Sequence, residues 1–85
     1  MKEDASDRAA KYVKTTSASL QRLKIKPLPA TIQDAQVHYV LDIVRGYVKD
    51  AKHYAQNQKP VTSLACIAYA EGLLDAIKFL ELAEF

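Results

Sequence analysis

The chain has 85 residues, of which 49% are hydrophobic and 26% are charged, and its formal net charge is +2. This length allows one hydrophobic core but not two, and the composition differs from that of disordered chains. The nearly balanced charge gives no electrostatic case for a dedicated nucleic-acid or membrane-surface protein. We therefore expect a single domain over residues 1–85.

The cysteine content and the N-terminus point to a cellular compartment. Cys66 is the only cysteine, which excludes an intramolecular disulfide and is typical of proteins in a reducing compartment. Residues 1–11 are charged where a signal peptide requires an apolar core. The longest uncharged run, residues 60–70, is too short to span a bilayer. We expect a cytoplasmic protein with no membrane partner.

Apolar residues recur every three or four positions near the N-terminus and predict a first helix over about residues 5–23. Its apolar face is built from small or light side chains: Ala5, Ala9, Tyr12, Val13, Thr16, Leu20 and Leu23. Such a helix is marginal alone and has to dock on another element. Pro27 and Pro29 then predict an extended linker over residues 24–30, because each proline disfavours helical geometry in the residue before it.

A second amphipathic helix is predicted over about residues 32–56, with Thr31 as its N-cap. Its predicted core face comprises Gln36, Val40, Ile43, Val44, Tyr47, Ala51, Tyr54 and Ala55. Tyr39 lies toward a flank of this face and is expected to be exposed. The short connection at residues 57–59 predicts that the next helix runs antiparallel to the second.

A third helix is predicted over about residues 60–83, with Pro60 in its first turn, and it is apolar on two sides. One side carries small residues with bulky neighbours: Ala65, Ala68, Gly72, Ala76 and Ala83, beside Tyr69, Phe79 and Leu80. A second group, Ala70, Leu74 and Ile77, lies about 150° away around the helix. A helix of this kind packs between two neighbours. The prediction is an all-α, three-helix up-and-down bundle.

Residues 50–76 carry a D-A-x-x-Y helix end and, after a short turn, the pattern A-x-x-x-Y-A-x-G-x-L-D-A. The matching positions are Asp50, Ala51, Tyr54, Ala65, Tyr69, Ala70, Gly72, Leu74, Asp75 and Ala76. This segment resembles the small archaeal family of unknown function numbered 357, and residues 7–20 resemble the first helix of that family more loosely. The resemblance implies a three-helix bundle, an archaeal source and a cytoplasmic setting, and it brings no activity, cofactor or partner.

The hairpin of helices two and three also resembles a single tetratricopeptide-like helix pair. Its small–aromatic–small–bulky–small spacing is carried by Ala51, Tyr54, Ser63, Ile67 and Ala70. One copy cannot form a solenoid, which needs about three repeats or more. We interpret the spacing as a prediction of close helix packing.

Few residues suggest chemistry. Asp34, His38 and Asp42 are one turn apart on the second helix and can in principle share a divalent metal. They lack further ligands and shielding from water, so we interpret them as a solvated face with an Asp–His pair. Cys66 has no basic neighbour one turn away, and its thiol is expected to be unreactive. The sequence indicates no catalytic residue, cofactor, metal or small-molecule substrate, and we expect no enzyme activity.

Two surfaces remain as candidate binding sites. The first is the apolar face that exceeds what the light first helix covers: Ala70, Leu74, Ile77, Leu82 and Phe85. Such a face can close a homodimer or receive a helix of a partner protein. The second is the basic strip Arg45, Lys49 and Lys52, which can contact RNA phosphates but lacks interleaved exposed aromatic residues. We expect a module for protein–protein interaction or homo-oligomerisation, with weak RNA binding as the less favoured alternative.

Overall fold

The computed structural model describes residues 4–85. The elements in chain order are α1 (Ala5–Arg22), β1 (Lys24–Ile25), α2 (Asp34–Gln56), α3 (Pro60–Phe79) and β2 (Ala83–Glu84). The three helices form the predicted all-α, up-and-down bundle. Helices α2 and α3 make an antiparallel hairpin, and α1 packs on both of them, mainly on α3.

Each helix begins where side chains or proline satisfy its first turn. Asp4 caps α1, with its carboxylate accepting a hydrogen bond from the backbone N–H of Ser6 at 2.8 Å. Helix α2 begins two residues later than predicted, because Gln33 and Gln36 form a reciprocal capping box in place of a Thr31 cap. Pro60 occupies the first turn of α3 as predicted.

Helices α2 and α3 both end in a Schellman motif. At the end of α3, the N–H of Leu82 donates to the carbonyl of Ile77 and that of Glu81 donates to Lys78. Glu81 adopts φ 59°, and Gln58 adopts the same φ at the end of α2. This left-handed residue ends α3 at Phe79, whereas the sequence predicted about residue 83.

The backbone of Glu81 provides a stability test. Glycine adopts this conformation without the steric penalty that a Cβ brings, so Glu81→Gly should stabilise the protein by about 0.5–1 kcal/mol. The expected rise in Tm is roughly 2–8 °C for a domain of this size. Glu84→Gly is the control, since Glu84 is exposed and lies in β2, where glycine weakens a strand. Thermal unfolding followed by circular dichroism should show opposite shifts, and a lower Tm for Glu81→Gly would contradict the assignment.

Small residues are buried where α2 packs on α3. The hydroxyl of Ser63 is buried and donates to the carbonyl oxygen of Ala51 at 2.6 Å. Ala51, Ile67 and Ala70 around it are fully buried, while Tyr54 is half-buried. The close packing predicted from the tetratricopeptide-like spacing is therefore confirmed.

The residues that face the core repeat in steps of four and three. In α2 they are Val37, Leu41, Val44, Val48 and Ala51, and in α3 they are Ser63, Ile67, Ala70, Leu74 and Ile77. We call the α3 set the inner seam. The predicted core face of α2 is rotated from the true one: Gln36 and Ala55 are exposed, and Val37, Leu41 and Val48 are buried in their place. Alternating steps of four and three are the spacing of supercoiled helix pairs, which explains the rotation.

A two-stranded sheet closes one end of the bundle. Lys24 pairs with Glu84 and Ile25 with Ala83 in antiparallel register, and the N–H of Lys26 donates to the carbonyl of Leu82 at 2.9 Å. The linker is extended, as the prolines predicted. The sequence pattern did not predict that it pairs with the C-terminal residues. This pairing buries Leu82 and Ala83 against the core.

Candidate functional site

The predicted apolar docking face is not a surface of the protein. Ala70, Leu74, Ile77 and Leu82 are buried in the core, with at most 7% of each side chain exposed. Phe85 is half-buried, and the ammonium of Lys78 lies 5.0 Å from the centre of its ring. The prediction left Ala70, Leu74 and Ile77 uncovered, whereas the bundle buries this side of α3, because burying leucine and isoleucine gains more free energy than burying alanine and glycine.

The exposed apolar surface lies on the opposite side of α3. Its central row, which we call the outer seam, consists of Ala65, Tyr69, Gly72, Ala76 and Phe79, and all five residues are exposed. Phe79 is 79% exposed and Tyr69 54%. Val61 and Leu80 lie beside the seam and are also exposed. None of these side chains carries a charge, so water contacts a continuous apolar row along α3.

The charged residues of α3 lie away from this row. Glu71, Asp75 and Lys78 line a polar cleft of about 220 Å³ between α1 and α3, together with Thr15, Thr16, Ser19, Arg22, Leu74 and Phe85. Glu71 and Asp75 are half-buried there. Helix α1 therefore covers the charged flank of α3 and leaves the outer seam open.

Helix α2 widens the apolar surface. The ring of Tyr47 packs on that of Tyr69, with the ring centres 4.6 Å apart. Tyr39 is 68% exposed, as predicted. Near the start of α2, an apolar groove of about 340 Å³ opens between the two helices. It is lined by Ile32, Gln36, Val37, Val40, Leu73, Ala76, Ile77, Leu80 and Leu82.

The predicted basic strip lies in a cleft between α1 and α2. Arg45, Lys49 and Lys52 line this cleft of about 380 Å³, with Ser17, Leu20, Gln21 and Val48. Arg45 also contacts Asp42, with its Nη1 3.0 Å from the carboxylate oxygen. The hydroxyl of Ser17 is buried and has no hydrogen-bond partner within residues 4–85. The structure thus brings the three predicted residues together, and Ser17 is a polar group that the sequence did not reveal.

The possible metal ligands of α2 are exposed. Nε2 of His38 is 3.3 Å from the carboxylate of Asp34, which is the Asp–His pair that the spacing suggested. Asp42 contacts Arg45 instead. In the part of the chain that the structure describes, no three His, Cys, Asp or Glu side chains are grouped so that they could hold a metal ion.

Cys66 is half-buried on α3. Burial raises the pKa of its thiol, and the nearby carboxylate of Asp50 raises it further. A raised pKa lowers the thiolate fraction at neutral pH, and the thiolate is the reactive form. This environment agrees with the expectation of an unreactive thiol.

The described part of the chain contains one helix that is long and apolar enough to cross a membrane, which is α3. Length and composition alone do not make it a membrane helix, because the core helix of a soluble protein shares them. The high hydropathy of α3 follows from the two apolar sides of the helix. The inner seam is covered by the bundle, and the outer seam is not.

Comparison with known families agrees with the D-A-x-x-Y and Y-A-x-G-x-L-D-A pattern. The family described as "Protein of unknown function (DUF357)" matches residues 11–83. The chain belongs to this family. The matched segment includes most of α1 and all of β1, α2 and α3, and it confirms the family resemblance found in the sequence. No curated protein and no solved structure matches the chain.

Proposed function

We propose that this DUF357 protein is a non-enzymatic, cytoplasmic interaction module, and that the outer seam of α3 is its working surface. One observation carries the proposal: a row of exposed, uncharged side chains runs from Ala65 to Phe79 on a helix whose opposite side is buried in the bundle. Contiguous apolar surface of this kind marks interaction sites on small soluble proteins. The groove beside Leu80 adds a recess for an apolar side chain of the partner.

The apolar groove beside the outer seam is better suited to docking than to a reaction. Acid–base catalysis needs two groups within hydrogen-bond reach of one substrate atom. The apolar groove is lined by eight apolar side chains and Gln36, which is neither acid nor base. An apolar recess beside an exposed helix is suited to docking.

Site-specific photocrosslinking tests the proposal. A photoreactive amino acid replaces Phe79, in the outer seam, and in a matched protein it replaces Ala18, an exposed residue of α1. Illumination of cells that produce each protein should give one dominant adduct of defined mass from position 79 and none from position 18. Equal labelling from the two positions, or no adduct from position 79, would contradict the proposal.

Weak RNA binding in the basic cleft is a second candidate function. It is favoured by the convergence of Arg45, Lys49 and Lys52 beside the unpartnered hydroxyl of Ser17. Guanidinium and ammonium groups bind phosphate oxygens, and a free hydroxyl can donate to one. The cleft lacks stacked aromatic side chains, so sequence-independent contact with the backbone is expected.

Salt dependence distinguishes this candidate. With three phosphate contacts to single-stranded RNA, log K should fall with log salt concentration with a slope of about 2. Lys49→Glu should remove binding, whereas Lys11→Glu, on an exposed position of α1, should not. Fluorescence anisotropy with a labelled oligouridine measures both. Equal effects of the two substitutions would show non-specific charge attraction instead of a site.

A further inference from the structure

The outer seam has the spacing of a helix surface that packs on another helix. Its residues follow steps of four, three, four and three, the same steps as those of the inner seam. This spacing keeps side chains in line with a neighbouring helix over several turns. The inner seam is occupied by the bundle itself, whereas the outer seam faces solvent. Helix α3 thus has two surfaces suited to helix packing, and its own chain buries only the inner seam.

We propose that a second copy of this chain covers the outer seam, with the two α3 helices antiparallel and a two-fold axis at Gly72. The inference rests on the proposed function and deepens it by naming the partner. Gly72 is the central residue of the seam, with two seam residues before it and two after it. A two-fold axis there lets the same surface serve both protomers, as in most homodimers.

The sizes of the seam residues favour the antiparallel orientation. With the axis at Gly72, Phe79 of one copy lies level with position 65 of the other, and Tyr69 lies level with position 75, about 1.5 Å along the helix from Ala76. The ring of Phe79 therefore faces an alanine and that of Tyr69 lies one residue from one, and facing large and small residues fill an interface without voids. A parallel pair would place Phe79 against Phe79 and Ala65 against Ala65. The interface would then be overpacked at the Phe79 end and would contain voids at the Ala65 end.

The packing within one chain does not explain why residue 72 is a glycine. It lies in the middle of α3, where glycine weakens a helix relative to alanine. A Cβ added at this position would meet nothing within 4 Å among the described residues. The packing of one protomer therefore does not require the glycine. Close approach of a second backbone does require the absence of a side chain.

The surface is large enough for a stable dimer. Tyr69 and Phe79 together offer roughly 200–300 Å², given the area that an aromatic side chain can bury. With the alanines, Val61 and Leu80, each copy contributes roughly 500 Å², so the two copies together reach the ~1,000 Å² that a specific interface needs. The absence of charge along the seam removes the repulsion that would oppose pairing of identical surfaces.

Disulfide trapping tests the geometry. In a Cys66→Ser background, Gly72→Cys should form a covalent dimer on mild oxidation, because both copies present this position at the axis. Ala65→Cys alone should not, since its two copies lie about 21 Å apart along the helices and disulfides need Cα atoms within about 7 Å. Ala65→Cys mixed with Phe79→Cys should form a mixed dimer. Efficient homodimers at position 65 would overturn the antiparallel arrangement.

The two glycines provide matched variants for the self-association itself. Gly46 also lies mid-helix with nothing within 4 Å of an added Cβ among the described residues, but on α2 and outside the seam. Gly72→Leu should weaken dimerisation at least about tenfold in analytical ultracentrifugation by overfilling the interface, and Gly46→Leu should leave it unchanged. Both proteins should keep their helical circular dichroism.

The failure of the dimer and the failure of the proposed function give different results. A chain that stays monomeric, while position 79 crosslinks to a protein of another mass, overturns the homodimer and keeps the interaction module. A monomer that floats with phosphatidylglycerol vesicles also overturns the homodimer and assigns the seam to a membrane. A monomer with no adduct at position 79 overturns both proposals.

Discussion

Replacing Ile77 by glutamate should unfold the protein, and replacing its neighbour Ala76 by glutamate should leave it folded and remove its self-association. Ile77 is 5% exposed in the inner seam, and Ala76 is exposed in the outer seam. A carboxylate at position 77 would be buried without a partner, at a cost of more than about 4 kcal/mol. Small domains are stable by only about 5–15 kcal/mol, so this loss removes most of the folded state.

At position 76 the same substitution stays in solvent. Glutamate is a good helix former, and the expected change in stability is within about 0.5 kcal/mol. In an antiparallel dimer, however, the carboxylates of both copies would be buried in the interface. Far-UV circular dichroism and sedimentation measure the two effects, and Ala18→Glu is the control for a charge on an exposed helical alanine. A folded Ile77→Glu protein or an unfolded Ala76→Glu protein would show that the two sides of α3 have been assigned wrongly.

The second large effect concerns the C-terminal residues. Leu82 is 7% exposed because β2 pairs with β1 and holds the end of the chain against the core. Leu82→Ala should destabilise the protein by about 2–5 kcal/mol, through lost burial and the cavity left behind. The expected drop in Tm is about 10 °C or more.

Leu80→Ala is the matched control, since it removes the same atoms two residues away from a side chain that is 66% exposed. Its effect on monomer stability should stay within about 0.5 kcal/mol. Chemical denaturation of both proteins at low concentration measures the difference. Equal losses of stability would mean that the last residues do not pack on the bundle.

Much of the fold follows from local signals. The prolines at positions 27, 29 and 60 separate three helical patterns, and the short turn between α2 and α3 requires an antiparallel hairpin. The tetratricopeptide-like spacing that includes Ala51, Ser63 and Ala70 predicted close helix packing, and the burial of these residues agrees with it. These features depend on residues near each other in the chain.

The rotation of the helices was not predicted correctly. A wheel of 3.6 residues per turn placed Gln36 and Ala55 on the core face of α2, whereas the buried residues follow a repeat of seven. In α3 both sides are apolar, so hydrophobicity alone could not choose between them. Side-chain volume determines which side is buried. Burial of Ile67, Leu74 or Ile77 gains more free energy than burial of an alanine does. The steps of four and three were present in the sequence and would have identified both seams.

The strand pair and the basic cleft depend on tertiary structure. Residues 24–25 and 83–84 are far apart in the chain and too few to show an alternating pattern. The approach of Ser17 to Lys49 requires the docking of α1 on α2, which no short-range pattern encodes. Sequence reasoning identified the basic residues but not the hydroxyl beside them.

The most direct test of the outer seam as a self-association surface is sedimentation equilibrium of the unmodified chain, from low micromolar to millimolar concentration. The dimer predicts a mass that rises with concentration from 9.5 kDa to twice that value. A mass of 9.5 kDa at every concentration would contradict it.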